Sequence, residues 1–164
     1  MIKEVYFVRH SKPLKVNNDK NIDSLQIQNE KQPLSIEGEN IAREKLNIEE
    51  LKDIDKLYSS SYVRAISTAK YIAENNNIEI NVINDFGERK FGINSWDELP
   101  DNFGEKQFLD ENFKTEFGES QKEVRDRTFN ALMNVLENDD KKIAIVFHST
   151  AMLFLLMTWC KVIP

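Results

Sequence analysis

Val5-Tyr6-Phe7-Val8-Arg9-His10-Ser11 and Ile143-Ala144-Ile145-Val146-Phe147-His148-Ser149-Thr150 are the two phrases on which the fold turns. Each is a continuous apolar run that ends in a histidine followed by a serine. A run without polar alternation predicts a strand buried on both faces, as in a parallel sheet covered by helices. The chain has only two histidines in 164 residues, so both fall at the carboxyl end of such a strand.

Outward from these runs, short apolar segments alternate with longer ones of helical period, the pattern of an α/β three-layer sandwich with a mostly parallel central sheet flanked by helices. Ser35 predicts a helix start, because its hydroxyl can cap exposed backbone N–H groups and Glu37 sits in the favourable first turn; the helix is expected to run to about Leu46. Ile54 to Tyr58 reads as a strand ended by Ser59-Ser60-Ser61, and Tyr62 to Glu74 as a helix ended by Asn75 to Asn77. Ile78 to Ile83 alternates apolar and polar residues, which predicts an edge or half-exposed strand. Ser120 and Glu123 form a capping-box pattern that opens a helix through Leu136. The polar stretch from Ser11 to Pro33 is expected to be a loop. The irregular region from Phe86 to Gly118, with Phe91, Trp96, Phe103, Phe108, Phe113 and Phe117, is expected to cover a pocket.

Bulk properties narrow the class. A chain of 164 residues that is 40% hydrophobic and 30% charged, with five glycines and four prolines, is expected to form one globular domain over residues 1–164. Its net charge of −6 disfavours a nucleic-acid or anionic-membrane partner, since both call for a basic face. One cysteine, Cys160, makes no internal disulfide, and the opening MIKEVYFV lacks a signal-peptide pattern, so a cytoplasmic protein is expected. The apolar tail from Ile143 is interrupted by His148, Ser149 and Thr150, and reads as a buried strand followed by a buried helix rather than a membrane span.

In a parallel sheet, ligand sites lie at the carboxyl ends of the strands, where the following helices aim their N-termini. Arg9, His10, His148 and the serine triplet fall there, with Arg64 in the next helical turn. A cation near a helix N-terminus opposes the macrodipole, a conflict that a bound anion removes; taken alone, such an arginine is better explained by a stem on the core and a head in solvent, and it gains weight only beside the histidines and Arg9. A metal site is the alternative for two histidines, but neither belongs to a close-spaced ligand pattern and two arginines would repel a cation. Arginine forks match phosphoryl oxygens. A neutral histidine can attack phosphorus and a protonated one can bind phosphate, so two can divide those roles. An acid must then protonate the leaving oxygen: Glu88 in DFGERKFG is the first candidate, and Glu98 in WDELP the reserve.

These residues resemble the histidine phosphatase superfamily, in its phosphoglycerate mutase-like branch, over nearly the whole chain. The family's Arg-His-Gly looks like Arg9-His10-Ser11, its Pro-Leu-Thr-x-x-Gly like Pro33 to Gly38, and its Ser-Ser-x-x-x-Arg-Ala-x-x-Thr-Ala like the segment ending Arg64-Ala65-Ile66-Ser67-Thr68-Ala69. Its Glu-x-x-Phe/Tyr-Gly looks like Glu88 to Gly92, its Gly-Glu-Ser like Gly118-Glu119-Ser120, and its second His-Gly like His148-Ser149. The resemblance implies a phosphoglycerate mutase-like fold and a phosphatase in which His10 is the phosphorylated nucleophile. Arg9, Arg64 and a protonated His148 would bind the phosphoryl oxygens, and Glu88 would donate the proton, with no metal or cofactor. Ser11 and Ser149 replace the family's glycines. Serine is strained there if the backbone needs positive φ; otherwise its hydroxyl can serve a phosphate oxygen or cap a helix. Family members continue past the last helix into another strand, whereas this chain stops at Val162-Ile163-Pro164. The expected partner is a small phosphorylated metabolite, not a nucleic acid or membrane. A mutase of the same chemistry, and a pseudo-enzyme that binds a phosphorylated ligand without turnover, stay open as alternatives.

Overall fold

The computed structural model, which describes residues 2–15 and 24–161, lays the two apolar runs side by side. Strand β1 (Glu4–Arg9) pairs in parallel with β4 (Lys142–Phe147), Val5 opposite Ile143 and Arg9 opposite Phe147. On its other side β4 pairs with β2 (Lys56–Ser59), which pairs with β3 (Ile80–Val82), so the sheet runs β1-β4-β2-β3 with every pairing parallel. Ile143 to Phe147 are all 0% exposed, as their unbroken apolar run requires at the centre of the sheet. Each of the larger side chains in that run contributes on the order of 1.5–3 kcal/mol by leaving water.

The equally apolar β1 is only half buried, because it borders the sheet among the described residues. The expectation of full burial is corrected accordingly: an unbroken apolar run reports that both faces are covered, and says nothing of the edge. Phe7 packs edge-on against Phe147, ring centroids 5.5 Å apart, on one face, while Tyr6 and Val8 pack on the other. β3 is the opposite edge, as its alternation predicts.

The helices are α1 (Leu25–Lys31), α2 (Ile36–Lys45), α3 (Val63–Asn76), α4 (Phe103–Leu109), α5 (Gln121–Leu136) and α6 (Ser149–Leu156). α3 packs Ala65, Ala69 and Ile72 on Leu57, Ala144 and Val146, with α2 beside it. α5 and α6 pack Val124, Leu132, Val135, Phe154 and Leu155 on Ile143, Ile145 and Phe147. This gives the three layers expected of the α/β sandwich.

The caps follow the sequence. Ser35 Oγ accepts from Gly38 N at 3.0 Å, Ser120 and Glu123 form the reciprocal box, and Asn77 closes α3 in the left-handed region at φ 53°. α1 stands in the stretch expected to be loop. It has no buried residue and so no apolar period to read, and Ser24 caps it. The cover holds α4 and a 3-10 turn at Trp96–Glu98, knitted by Phe91, Trp96, Phe103 and Phe113 with ring centroids 5.2–5.9 Å apart. Among the described residues no helix is long and apolar enough to cross a membrane. Val162-Ile163-Pro164, where the family pattern has a further strand, lies outside the described residues.

Candidate active site

The parallel register carries the two histidines together. His10 N donates to Phe147 O at 3.0 Å and Ser60 N to Val146 O at 3.0 Å, which extends the ladder one residue past each strand. The imidazoles of His10 and His148 lie 5.1 Å apart, centre to centre. Arg64, in the first turn of α3, is 4% exposed and reaches between them. Its Nε donates to His10 Nε2 at 3.1 Å and its Nη2 to His148 Nδ1 at 3.3 Å, while Nη1 donates to the carbonyl of Asn29 on α1. The reading of a stem on the core with its head in solvent is thus overturned: the head is buried and holds both histidines.

These contacts fix the tautomers. A carbonyl only accepts, so His10 Nδ1 carries the proton it gives to Ser11 O at 2.7 Å, and His10 Nε2 keeps its lone pair. A guanidinium only donates, so His148 Nδ1 is a bare acceptor and Nε2–H donates to Ser60 Oγ at 2.8 Å. Both rings are therefore neutral. Burial first, and then the charges of Arg64 and Arg9, push His10 down to about 4 against the opposing bond to Ser11. Burial, then Arg64, His10 and Arg127, push the fully enclosed His148 down to about 2. Without a bound anion, a cation sealed in beside Arg64 would have neither solvent nor a counter-charge, so the protonated His148 expected on a phosphoryl group is not the form of the free site.

Glu88 follows β3 and a 3-10 turn at Asn84–Phe86. Its carboxylate lies on the first turn of α6, accepting from Thr150 N at 3.3 Å and Ala151 N at 3.0 Å, and also from Arg89 N at 3.0 Å. The two α6 amides belong to the second and third residues after His148, which immediately precedes the helix. Glu98 is not at the site: it sits on an exposed turn and accepts from Asn94 N at 3.1 Å.

Arg9, at the end of β1, is exposed and lines a cavity of about 420 Å³ with His10, Lys12, Lys45 and Thr68. Neither Ser11 nor Ser149 has positive φ, so serine in place of glycine is unstrained at both. Ser11 Oγ donates to Gly38 O at 2.7 Å and its N donates to Thr68 Oγ1 at 3.0 Å, which ties the segment after His10 to α2 and α3. Ser149 is the first residue of α6.

Sequence reasoning missed Tyr62 and Asn29. The Tyr62 ring lies 4.6 Å from His148 and 4.9 Å from the Arg64 guanidinium carbon, and its hydroxyl accepts from Gln26 Nε2 at 2.9 Å. Burial pushes this hydroxyl up to about 12. No local pattern marks either residue, since Asn29 acts through its backbone. A second cavity, of about 240 Å³, lies between α1 and the cover, lined by Gln26, Asn29, Phe91, Asn94, Trp96 and Phe117.

The sequence matches the model of the histidine phosphatase superfamily (branch 1) over residues 5–164. No curated protein matches it. Among solved structures, the chain is similar to the native mycobacterial glucosyl-3-phosphoglycerate phosphatase, at 17% identity and a TM-score of 0.74 over 93% of this chain and 76% of that one. The same phosphatase with inorganic phosphate gives 18% and 0.73 over 93% and 76%. An Escherichia coli protein ascribed alpha-ribazole-5'-P phosphatase activity gives 17% and 0.70 over 96% and 79%. At such identities the likeness is one of fold.

Proposed function

The chain belongs to the histidine phosphatase superfamily, and from that premise we propose that it hydrolyses a small phosphomonoester through a phosphohistidine on His10. The observation that carries the reading is Arg64 bridging His10 Nε2 and His148 Nδ1, because it aims one cation at two lone pairs where a phosphoryl group would sit. An arriving phosphoryl dianion takes the Arg64 N–H groups, and with them the donor that occupies His10 Nε2. The freed lone pair attacks phosphorus. The P–O bond to the alcohol breaks, and Glu88 gives the leaving oxygen a proton. Water then attacks the phosphohistidine, Glu88 takes its proton back, the P–N bond breaks and inorganic phosphate leaves.

Charge spreads over the equatorial oxygens in both transition states, and fixed donors there lower the barrier without reorganising. Arg9 and Arg64 supply such donors. His148 takes up a proton when the dianion supplies the counter-charge it lacks, and then donates through Nδ1. The Nδ1–H bond of His10 to Ser11 O stabilises the cationic phosphohistidine. Ser11 holds the segment after His10 against α2 and α3, and Ser149 opens the helix on which Glu88 is seated.

The test is hydrolysis of an aryl phosphate by the protein and by His10→Ala. Turnover by the first and not the second supports the assignment; equal rates refute it. Activity that appears only with an added bisphosphate primer assigns a mutase instead. Binding of the ester with no turnover by either protein assigns the non-catalytic alternative.

A further inference from the structure

Glu119 belongs to a motif that helix capping explains only through its neighbour Ser120. Its carboxylate has other work: it accepts from Arg127 Nε at 2.8 Å and from Arg127 Nη2 at 2.9 Å, a two-pronged pair with each side chain only 18% exposed. Burial alone would raise the Glu119 carboxyl, but Arg127 and the Lys90 N–H hold it below the ordinary carboxylate range. The other Arg127 donors go to backbone. Nη1 donates to Asp85 O at 2.6 Å and Gly87 O at 3.0 Å, and Nη2 to Glu88 O at 3.2 Å. Those contacts use all five N–H groups of the guanidinium. On the far side of Glu88, Glu119 Oε2 accepts from Lys90 N at 2.9 Å and Glu119 N donates to Lys90 O at 2.9 Å. The segment that carries Glu88 is thus held before and after it by one ion pair.

We propose that Glu119 and Arg127 are positioning residues for the proton donor, an inference that rests on the phosphatase reading above. α5 is a rigid base for them, since Val124, Thr128, Ala131 and Leu132 fix its other face in the core. Backbone clamped to α5 and carboxylate seated on α6 leave Glu88 two anchors, on the two helices that pack together against the same face of the sheet. General acid catalysis needs the donor within hydrogen-bond reach of the leaving oxygen, and a shift of about 1 Å costs on the order of 100-fold. Neither Glu119 nor Arg127 touches the reacting atoms. Their removal therefore damages proton donation selectively.

That selectivity is measurable, because a nitrophenolate leaves without a proton whereas an alkoxide does not. The quantity to compare is kcat/KM, which covers the steps through P–O cleavage, for nitrophenyl phosphate and for a simple alkyl phosphate. Arg127→Met is expected to lose about 100-fold on the alkyl ester and less than about 5-fold on the nitrophenyl ester. Arg127→Lys recovers part of the alkyl activity, and Arg127→Met adds little on top of Glu88→Gln. If Arg127→Met does not melt cooperatively, Glu119→Gln carries the test with the same split in smaller measure. Equal losses on the two esters, or no loss on either, overturn the proposal while leaving the phosphatase reading intact. A wild-type protein that turns over neither ester overturns the phosphatase reading itself.

Discussion

Lowering the pH from 7 to 5 should destabilise the protein chiefly through its two histidines. His10 is held at about 4 and His148 at about 2, against 6.5 for the ordinary imidazole of an unfolded chain. Both folded values are depressed, so below pH 6.5 the unfolded chain takes up protons that the folded protein refuses. The stability contributed is whole above 6.5 and is lost progressively down to about 4 for His10 and about 2 for His148. At pH 5 the deficit is roughly 1.5 pH units for each ring, or about 2 kcal/mol each and up to about 4 kcal/mol for the pair. That is a large share of the roughly 5–15 kcal/mol typical of a domain. An unperturbed carboxyl group has its pKa near 4, below this window. The assay is urea unfolding at pH 7, 6 and 5, beside a His10→Gln/His148→Gln double variant. The wild-type midpoint should fall steeply while the double variant stays nearly flat. A wild-type midpoint unchanged between pH 7 and 5, or an equal fall in the double variant, would refute the account of two buried neutral rings.

Inorganic phosphate should raise the melting temperature, by the equivalent of about 2.7 kcal/mol at 100 times its dissociation constant. Arg64→Met should abolish the rise, and an undiminished rise in that variant would remove Arg64 from the phosphate site. Gly92 has φ +62° and a Cβ there would collide with the backbone of Phe117 and Gly118, so Gly92→Ala should cost roughly 1–3 kcal/mol in thermal or urea unfolding. An unchanged midpoint would mean that the cover adds nothing to the cooperative fold.

The placement of the histidines was legible because a strand buried on both faces leaves an unbroken apolar run, and the residues just past its end stand at the ligand edge of the sheet. The same signal could not tell β1 from β4, since periodicity reports faces and not edges. Arg64 was legible as a charge in the wrong part of a helix; that it joins the two rings was not, because His10, Arg64 and His148 lie far apart along the chain. α1 was invisible for a physical reason: a helix held by a capping serine and a carbonyl contact to Arg64, with no buried residue, writes no period into its sequence. Glu88 was legible as a position after β3. Its seat on α6 and its clamp from Arg127 depend on how α5 and α6 face the loop, which no spacing within either helix encodes.

Everything in the proposed chemistry passes through one lone pair, on His10 Nε2. Its most direct test is to mix the protein with a phosphomonoester labelled on phosphorus, quench with alkali within one turnover, and map the label by mass spectrometry. An acid-labile, alkali-stable phosphoryl group is expected on His10 and is expected to be absent from His10→Ala. Label on any other side chain, or turnover that persists in His10→Ala, would contradict it.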